Sequence, residues 1–202
     1  VHPFSQKSNL ARGGVETGVQ LADEAPVVFK QMEHGTPAKR TATVLIYMKT
    51  TSAPERRRVY LPARHRSVIE RIYARPGLSR DPGEPSVPPL ELPALSHVSV
   101  DVFPRWSEAS MRVIGYGRDL ITAVEARLRQ LQLQRIDWIS LDLPLSQPGI
   151  QDLCAPLEDL GFFFAGIIPE LADGDVLRLQ YLNEVEADVA SVQLASDFGR
   201  EL

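Results

Sequence analysis

Cysteine occurs once in these 202 residues, at Cys154, so an intrachain disulfide is excluded. No apolar run reaches the roughly 18 residues a membrane-crossing helix needs, and no membrane role is expected. The chain opens on Val1 rather than methionine, and no basic segment followed by a short apolar core marks a secretion signal. The expectation is a piece of a longer polypeptide in a reducing cytoplasm. The four histidines, His2, His34, His65 and His97, stand at no metal-ligand spacing, so no metal is expected. Net charge is slight: −4, with a pI near 5.6, gives no overall pull on nucleic acid or anionic lipid.

What is present is a globular composition, 44% hydrophobic and 24% charged. Proline is abundant at 16 residues and crowds the stretch Ser79 to Pro93 (SRDPGEPSVPPLELP). Closely spaced prolines remove amide donors and push their neighbours out of helical geometry. An extended linker over 79–95 therefore divides a first part, 1–78, from a second, 96–202. In the first part, Ser5 to Arg12 reads as a helix stopped at Gly13-Gly14. Val15 to Leu21 and Thr41 to Met48 (TATVLIYM) read as strands, the latter a buried one, and Glu33 to Lys39 is turn-rich. Val68, Ile69, Ile72 and Tyr73 form one helical stripe over 63–74, with Arg64, Arg66, Arg71 and Arg75 around it.

The second part is more regular. His97 to Phe103 and Ala109 to Ile114 alternate as a hairpin around Pro104 to Ser107, with Val98, Val100 and Val102 expected to face inward. Leu120, Val124, Leu128 and Leu131 mark a helix over 119–133, and Ile136 to Leu143 a strand parallel to the one before the helix. A helix over 149–160 stops at Gly161, and strands follow at Phe162 to Ile168 and Asp175 to Leu182.

The two parts share a pattern. Pro3-Phe4-Ser5-Gln6 resembles Pro144-Leu145-Ser146-Gln147, and each is followed by a helix, a glycine stop, a strand with a second glycine and an apolar strand. Gly13 and Gly18 stand as far apart as Gly161 and Gly166. Two related half-modules are expected, the first lacking its opening elements, with their sheets packed against each other in a shared core.

Leu160-Gly161-Phe162, followed by FFAGIIP and DVLRLQYL, resembles the ending of GNAT (acyl-CoA N-acyltransferase) folds, and Arg112-Val113-Ile114-Gly115-Tyr116-Gly117 is similar to that family's Arg/Gln-x-x-Gly-x-Gly/Ala turn. The resemblance covers about 97–183 and more weakly 1–50. It implies an α/β (α+β) fold, a mixed sheet with flanking helices, and acetyl-CoA as cofactor. Its pyrophosphate would be held by Arg112, Gly115, Gly117, Arg118 and the N-terminus of the following helix. The other reading of the same residues is that the strand ends and the glycines only make a turn. The family's general acid, a Tyr four residues before the glycine of Leu-Gly-Phe, is replaced by Leu157, and by Asn9 in the first part; the usual Asn at that helix's start is Ile150, and Pro156 is expected to kink the helix. The phrases HPFSQ, LDLPL, LGFFFAG and LQYLN are similar to those of bacterial multidomain proteins in which such a region follows a kinase-like or anti-sigma-like ATPase domain. That implies an upstream domain of the same polypeptide as partner, and a homodimer is a second possibility.

Other candidates are weaker. Glu108 is a candidate catalytic base or a solvated strand residue, and Cys154 between Leu153 and Leu157 reads as packed rather than nucleophilic. Arginines 56–58, 64, 66, 71, 75 and 80 suit a phosphate-bearing ligand, an acidic domain or plain solvent, with nucleic acid the remotest choice. Trp106 and Trp138 read as core or hairpin packing. The function classes left are a regulatory or ligand-sensing GNAT-like module and an acyl-CoA-dependent N-acetyltransferase.

Overall fold

The chain is described by a computed structural model over residues 3–25, 39–48, 56–84, 91–171 and 174–202. The expected turns at 33–38 lie outside the described residues. Helices α1 (Pro3–Ala11), α2 (Arg66–Ala74), α3 (Leu120–Leu133), α4 (Ile150–Asp159) and α5 (Asp197–Glu201) flank a seven-stranded mixed sheet. Its strands are β1 (Val15–Glu24), β2 (Thr41–Tyr47), β5 (His97–Phe103), β6 (Glu108–Gly115), β7 (Trp138–Pro144), β8 (Phe163–Leu171) and β9 (Gly174–Leu182), in the order β2-β1-β8-β9-β7-β6-β5. Two short parallel strands, β3 (Arg57–Val59) and β4 (Arg80–Pro82), bracket α2. The fold class is thus the mixed α/β one expected.

β7 explains the sheet's centre. WISLDL is buried at every position, as a strand covered on both faces must be, and it pairs parallel with β6 and antiparallel with β9. The crossover α3 buries Leu120, Val124, Leu128 and Leu131, the stripe read from the sequence. The hairpin of β5 and β6 forms, yet Val98 alone of its three valines is buried, and Val102 and Phe103 are exposed. β5 ends the sheet, and among the described residues no strand lies on its outer side.

Two further expectations are corrected. The sheets of the two parts do not stack: β1 and β8 pair antiparallel, edge to edge, so that one sheet runs through both. TATVLIYM is not buried either, since β2 stands at a sheet edge, mostly half-buried with Met48 exposed. The 61–78 segment nevertheless shares the main core, where Leu61, Ile69, Ile72 and Tyr73 join Leu141 and Leu179. Part of the proline-rich stretch is built in as well, because Arg80 of β4 forms an ion pair with Asp175 at 2.6 Å.

β1–β2 and β8–β9 share backbone detail. Gly13 and Gly161 have φ of +86° and +99°, and Ala22 and Glu170 have φ of +51° and +58° at matching steps beyond Gly18 and Gly166. Each hairpin has a register shift just before its second glycine, between Glu16 and Gly18 and between Phe164 and Gly166. Gly18 and Gly166 then face each other across the β1–β8 ladder. A Cβ on Gly18 would run into the Ala165 carbonyl and the Gly166 Cα, and one on Gly166 into the backbone of Thr17 and Gly18.

This approach sets the cost of a side chain. Gly18→Ala or Gly166→Ala is expected to destabilise the protein by roughly 3 kcal/mol or more, from overpacking and, at Gly166, backbone strain. Gly13→Ala, at positive φ but with open space around it, costs only about 1 kcal/mol. Urea melts of the three variants check this, and a Gly13 variant as damaged as the other two would contradict it.

Candidate functional site

β6 and β7 run parallel as far as the pair Arg112 and Asp142, and beyond it a cleft of about 190 Å³ opens, lined by Arg112, Val113, Ile114, Gln147 and Val176 among others. The Gly115–Gly117 turn lies at the end of β6, beside this cleft and at the N-terminus of α3. A helix start offers free amides to an anion. Here the chain itself takes the amides of the turn just before that start. The Gly117 amide donates to Ser96 Oγ at 3.0 Å, and the Arg118 amide to the Pro93 carbonyl at 2.9 Å. The Tyr116 amide donates to Gln147 Oε1 at 3.2 Å, while Gln147 Nε2 donates to the Ile114 carbonyl.

Charge in the turn also opposes an anion. Asp119 Oδ1 accepts from Ser96 N and Ser96 Oγ at 2.6 and 2.7 Å, and these bonds hold its carboxyl below the usual range. A carboxylate thus stands at the N-cap of α3, bonded to Ser96 and not to the helix amides. Gly117 is a packing glycine, since a Cβ there would strike the backbone of Leu95 and Ser96, whereas one on Gly115 would meet nothing. Tyr116 is buried with its hydroxyl donating to the Pro144 carbonyl at 3.1 Å, and burial raises its phenol well above its ordinary value. Arg112 and Arg118 are exposed, with the Arg112 side chain on the cleft wall.

The remaining candidates point away from the turn. Leu157 is completely buried, so the position of the missing acid faces core; Ile150 is buried too. α4 continues through Pro156 to Asp159, and the expected kink does not interrupt it. Glu108 sits at the far end of β6, seven residues and roughly 23 Å from Gly115. There it accepts from Arg40 Nη2 at 2.8 Å, while the same guanidinium donates to the carbonyls of Ala22, Asp23 and Trp106. Burial raises the Glu108 carboxyl against the pull of Arg40. Trp138 is buried, its indole N–H on the Leu21 carbonyl, but Trp106 is exposed at the hairpin turn under Arg105.

The arginine-rich segment is largely engaged within the molecule. Arg56 pairs with Asp81, Arg64 with Glu158, Arg66 with Glu70 and Arg71 with Glu201, while Arg75 lies 4.3 Å over the Phe198 ring. Three buried polar groupings escaped the sequence. Arg178 clamps Asp142 with two bonds of 2.7 Å and reaches Gln20 of β1. Arg80 clamps Asp175, whose Oδ1 also accepts from the Glu170 amide, and Glu170 in turn accepts from the Tyr47 hydroxyl at 2.7 Å. The third is His65 with Glu158, beside Cys154. The one available signal was an acidic residue inside an apolar strand, Asp142 in IDWISLDL.

No family model matches the chain, and no curated protein matches it. Similar solved structures include a variant of the spermidine N-acetyltransferase from Vibrio cholerae, 17% identical with a TM-score of 0.36 over 44% of this chain and 57% of that one. The ribosomal-protein-S18-alanine N-acetyltransferase from Escherichia coli is 19% identical with a TM-score of 0.34 over 49% of this chain and 66% of that one. The chain thus spans less than two thirds of either. The order β5-β6-α3-β7-α4-β8-β9 is the one read from the sequence.

Two measurements test this description. Leu157→Tyr must force a larger ring into a filled core, so a loss of about 1–3 kcal/mol is expected with no gain of acetyl transfer; a stable, active variant would refute the burial. The Tyr47 phenol is pushed up to about 12, first by burial and then by its bond to Glu170. Its folded pKa exceeds its ordinary value of 10.0, so the stability it lends is complete below about 10 and lost as pH rises through about 12. Tyr47→Phe should lose less stability than the parent between those limits; identical pH profiles would show that the bond does not form.

Proposed function

We propose that this chain is a GNAT-like regulatory or ligand-sensing module of a larger bacterial protein, one that carries the acyltransferase framework without its chemistry. The observation behind this is the turn before α3, whose amides bond to Pro93, Ser96 and Gln147, with the Asp119 carboxylate at the helix N-cap. Bound pyrophosphate would have to displace all of these. The lack of a general acid agrees: Leu157 cannot carry a proton, and Glu108 is committed to Arg40. The matching bulges and left-handed residues of β1–β2 and β8–β9 support two related half-modules. Such a module would serve an upstream domain of the same polypeptide, an ATPase on the resemblance, in the cytoplasm.

The second reading is an acyl-CoA-dependent N-acetyltransferase with an unidentified amine acceptor. The cleft between the diverging ends of β6 and β7 favours it, with Arg112 on its wall and Gly115 open beside it. Calorimetry with acetyl-CoA and a turnover assay on polyamine and peptide amines separate the readings. The expected result for the unaltered chain is no heat at millimolar acetyl-CoA and no thiol release. Micromolar binding with turnover well above background would overturn the first reading. The informative variant is Ser96→Ala, which frees the Gly117 amide and removes one partner of Asp119, whereas Gly117→Val damages packing whatever the turn binds.

A further inference from the structure

α4 and the 3-10 turn before α2 bring together three side chains that the backbone keeps far apart in sequence. Cys154 and Glu158 stand four residues apart on α4 and so share one of its faces. His65 ends the turn Ala63–His65 that leads into α2. The sulfur, one carboxylate oxygen and one ring nitrogen all lie within 4.8 Å of one another. All three are secluded: Cys154 is 1% exposed, His65 9%, and the Glu158 side chain 8%.

The surroundings hold these groups in place. The His65 ring stacks on Phe164 with centroids 4.8 Å apart, and its Nε2 meets Glu158 Oε1 at 2.8 Å. Arg64 donates to the other oxygen, Oε2, at 3.1 Å, which leaves Oε1 turned to the histidine and the thiol. Two ligand groups are thus oriented by bonds and stacking outside the cluster, as is usual at metal sites.

We propose that Cys154, His65 and Glu158 form a binding site for one zinc ion, which ties α2 to α4. Mixed thiolate, imidazole and carboxylate donors suit zinc over magnesium or calcium, and three protein ligands leave a fourth position open. Charge balances, since one thiolate and one carboxylate neutralise the dication while the imidazole stays neutral. Binding expels one proton, from the Cys154 thiol, and the ring proton between His65 and Glu158 moves to the other ring nitrogen. None of its three ligands belongs to the turn at α3, although the buried Tyr116 phenol of that turn feels the Cys154 sulfur.

Cobalt(II) is the probe and zinc its competitor. The unaltered chain should take up one cobalt, with a near-ultraviolet thiolate charge-transfer band that zinc abolishes. Cys154→Ser should lose that band, and His65→Gln should weaken binding at least about tenfold, each with an unchanged far-ultraviolet spectrum. No stoichiometric uptake at micromolar protein, or the same band and affinity in both variants, overturns the proposal. If neither variant folds, thiol labelling of the unaltered chain in mild denaturant decides. Zinc slowing the modification of Cys154 supports the site, and equal rates with and without zinc overturn it.

Discussion

The approach of Gly18 to Gly166 is the constraint on which the seven-stranded sheet depends, because backbone meets backbone there with no room for a Cβ on either side. Beyond that contact β1 no longer follows β8, and side chains take over the joint. Gln180 bonds both the amide and the carbonyl of Leu21, Trp138 donates to the same carbonyl, and Arg178 reaches Gln20. Arg40 then fastens the end of β1 to the β5–β6 hairpin through four acceptors. Each of these buried polar groups is satisfied across the joint, and removing one partner leaves the other buried and unpaired.

Periodicity made the second part legible. α3, β6, β7, β8 and β9 all stand where apolar spacing placed them, because each buries a face whose period the sequence states directly. Burial at the sheet's edges was not legible. TATVLIYM and the valines of β5 have core composition, yet strand order decides which strands end a sheet, and for β2 that order follows from the Gly18–Gly166 contact. A glycine stop and a glycine contact look alike in one dimension.

The candidate site was legible as a motif and not as a site. Arg112, Gly115 and Gly117 do make a turn at a helix N-terminus, but the amides' partners come from Pro93, Ser96 and Gln147, which no local pattern connects to it. The same holds for Arg40 on Glu108 and for His65 beside Cys154 and Glu158, where contacts join distant segments. Local spacing reports on one element at a time, and a site assembled by tertiary packing lies outside its reach.

The strand pairing orders events in time as well as in space. The hairpin of β1 and β2 leaves the ribosome well before its neighbour β8 and the side chains of Arg178 and Gln180. Until they emerge, the edge of β1 that meets β8 is bare. Long-range pairing of this kind is slow to form and leaves unpaired strands open to wrong partners. A ribosome that stalls before Gly166 would hold β1 without the strand it pairs with, and a chaperone would meet it there.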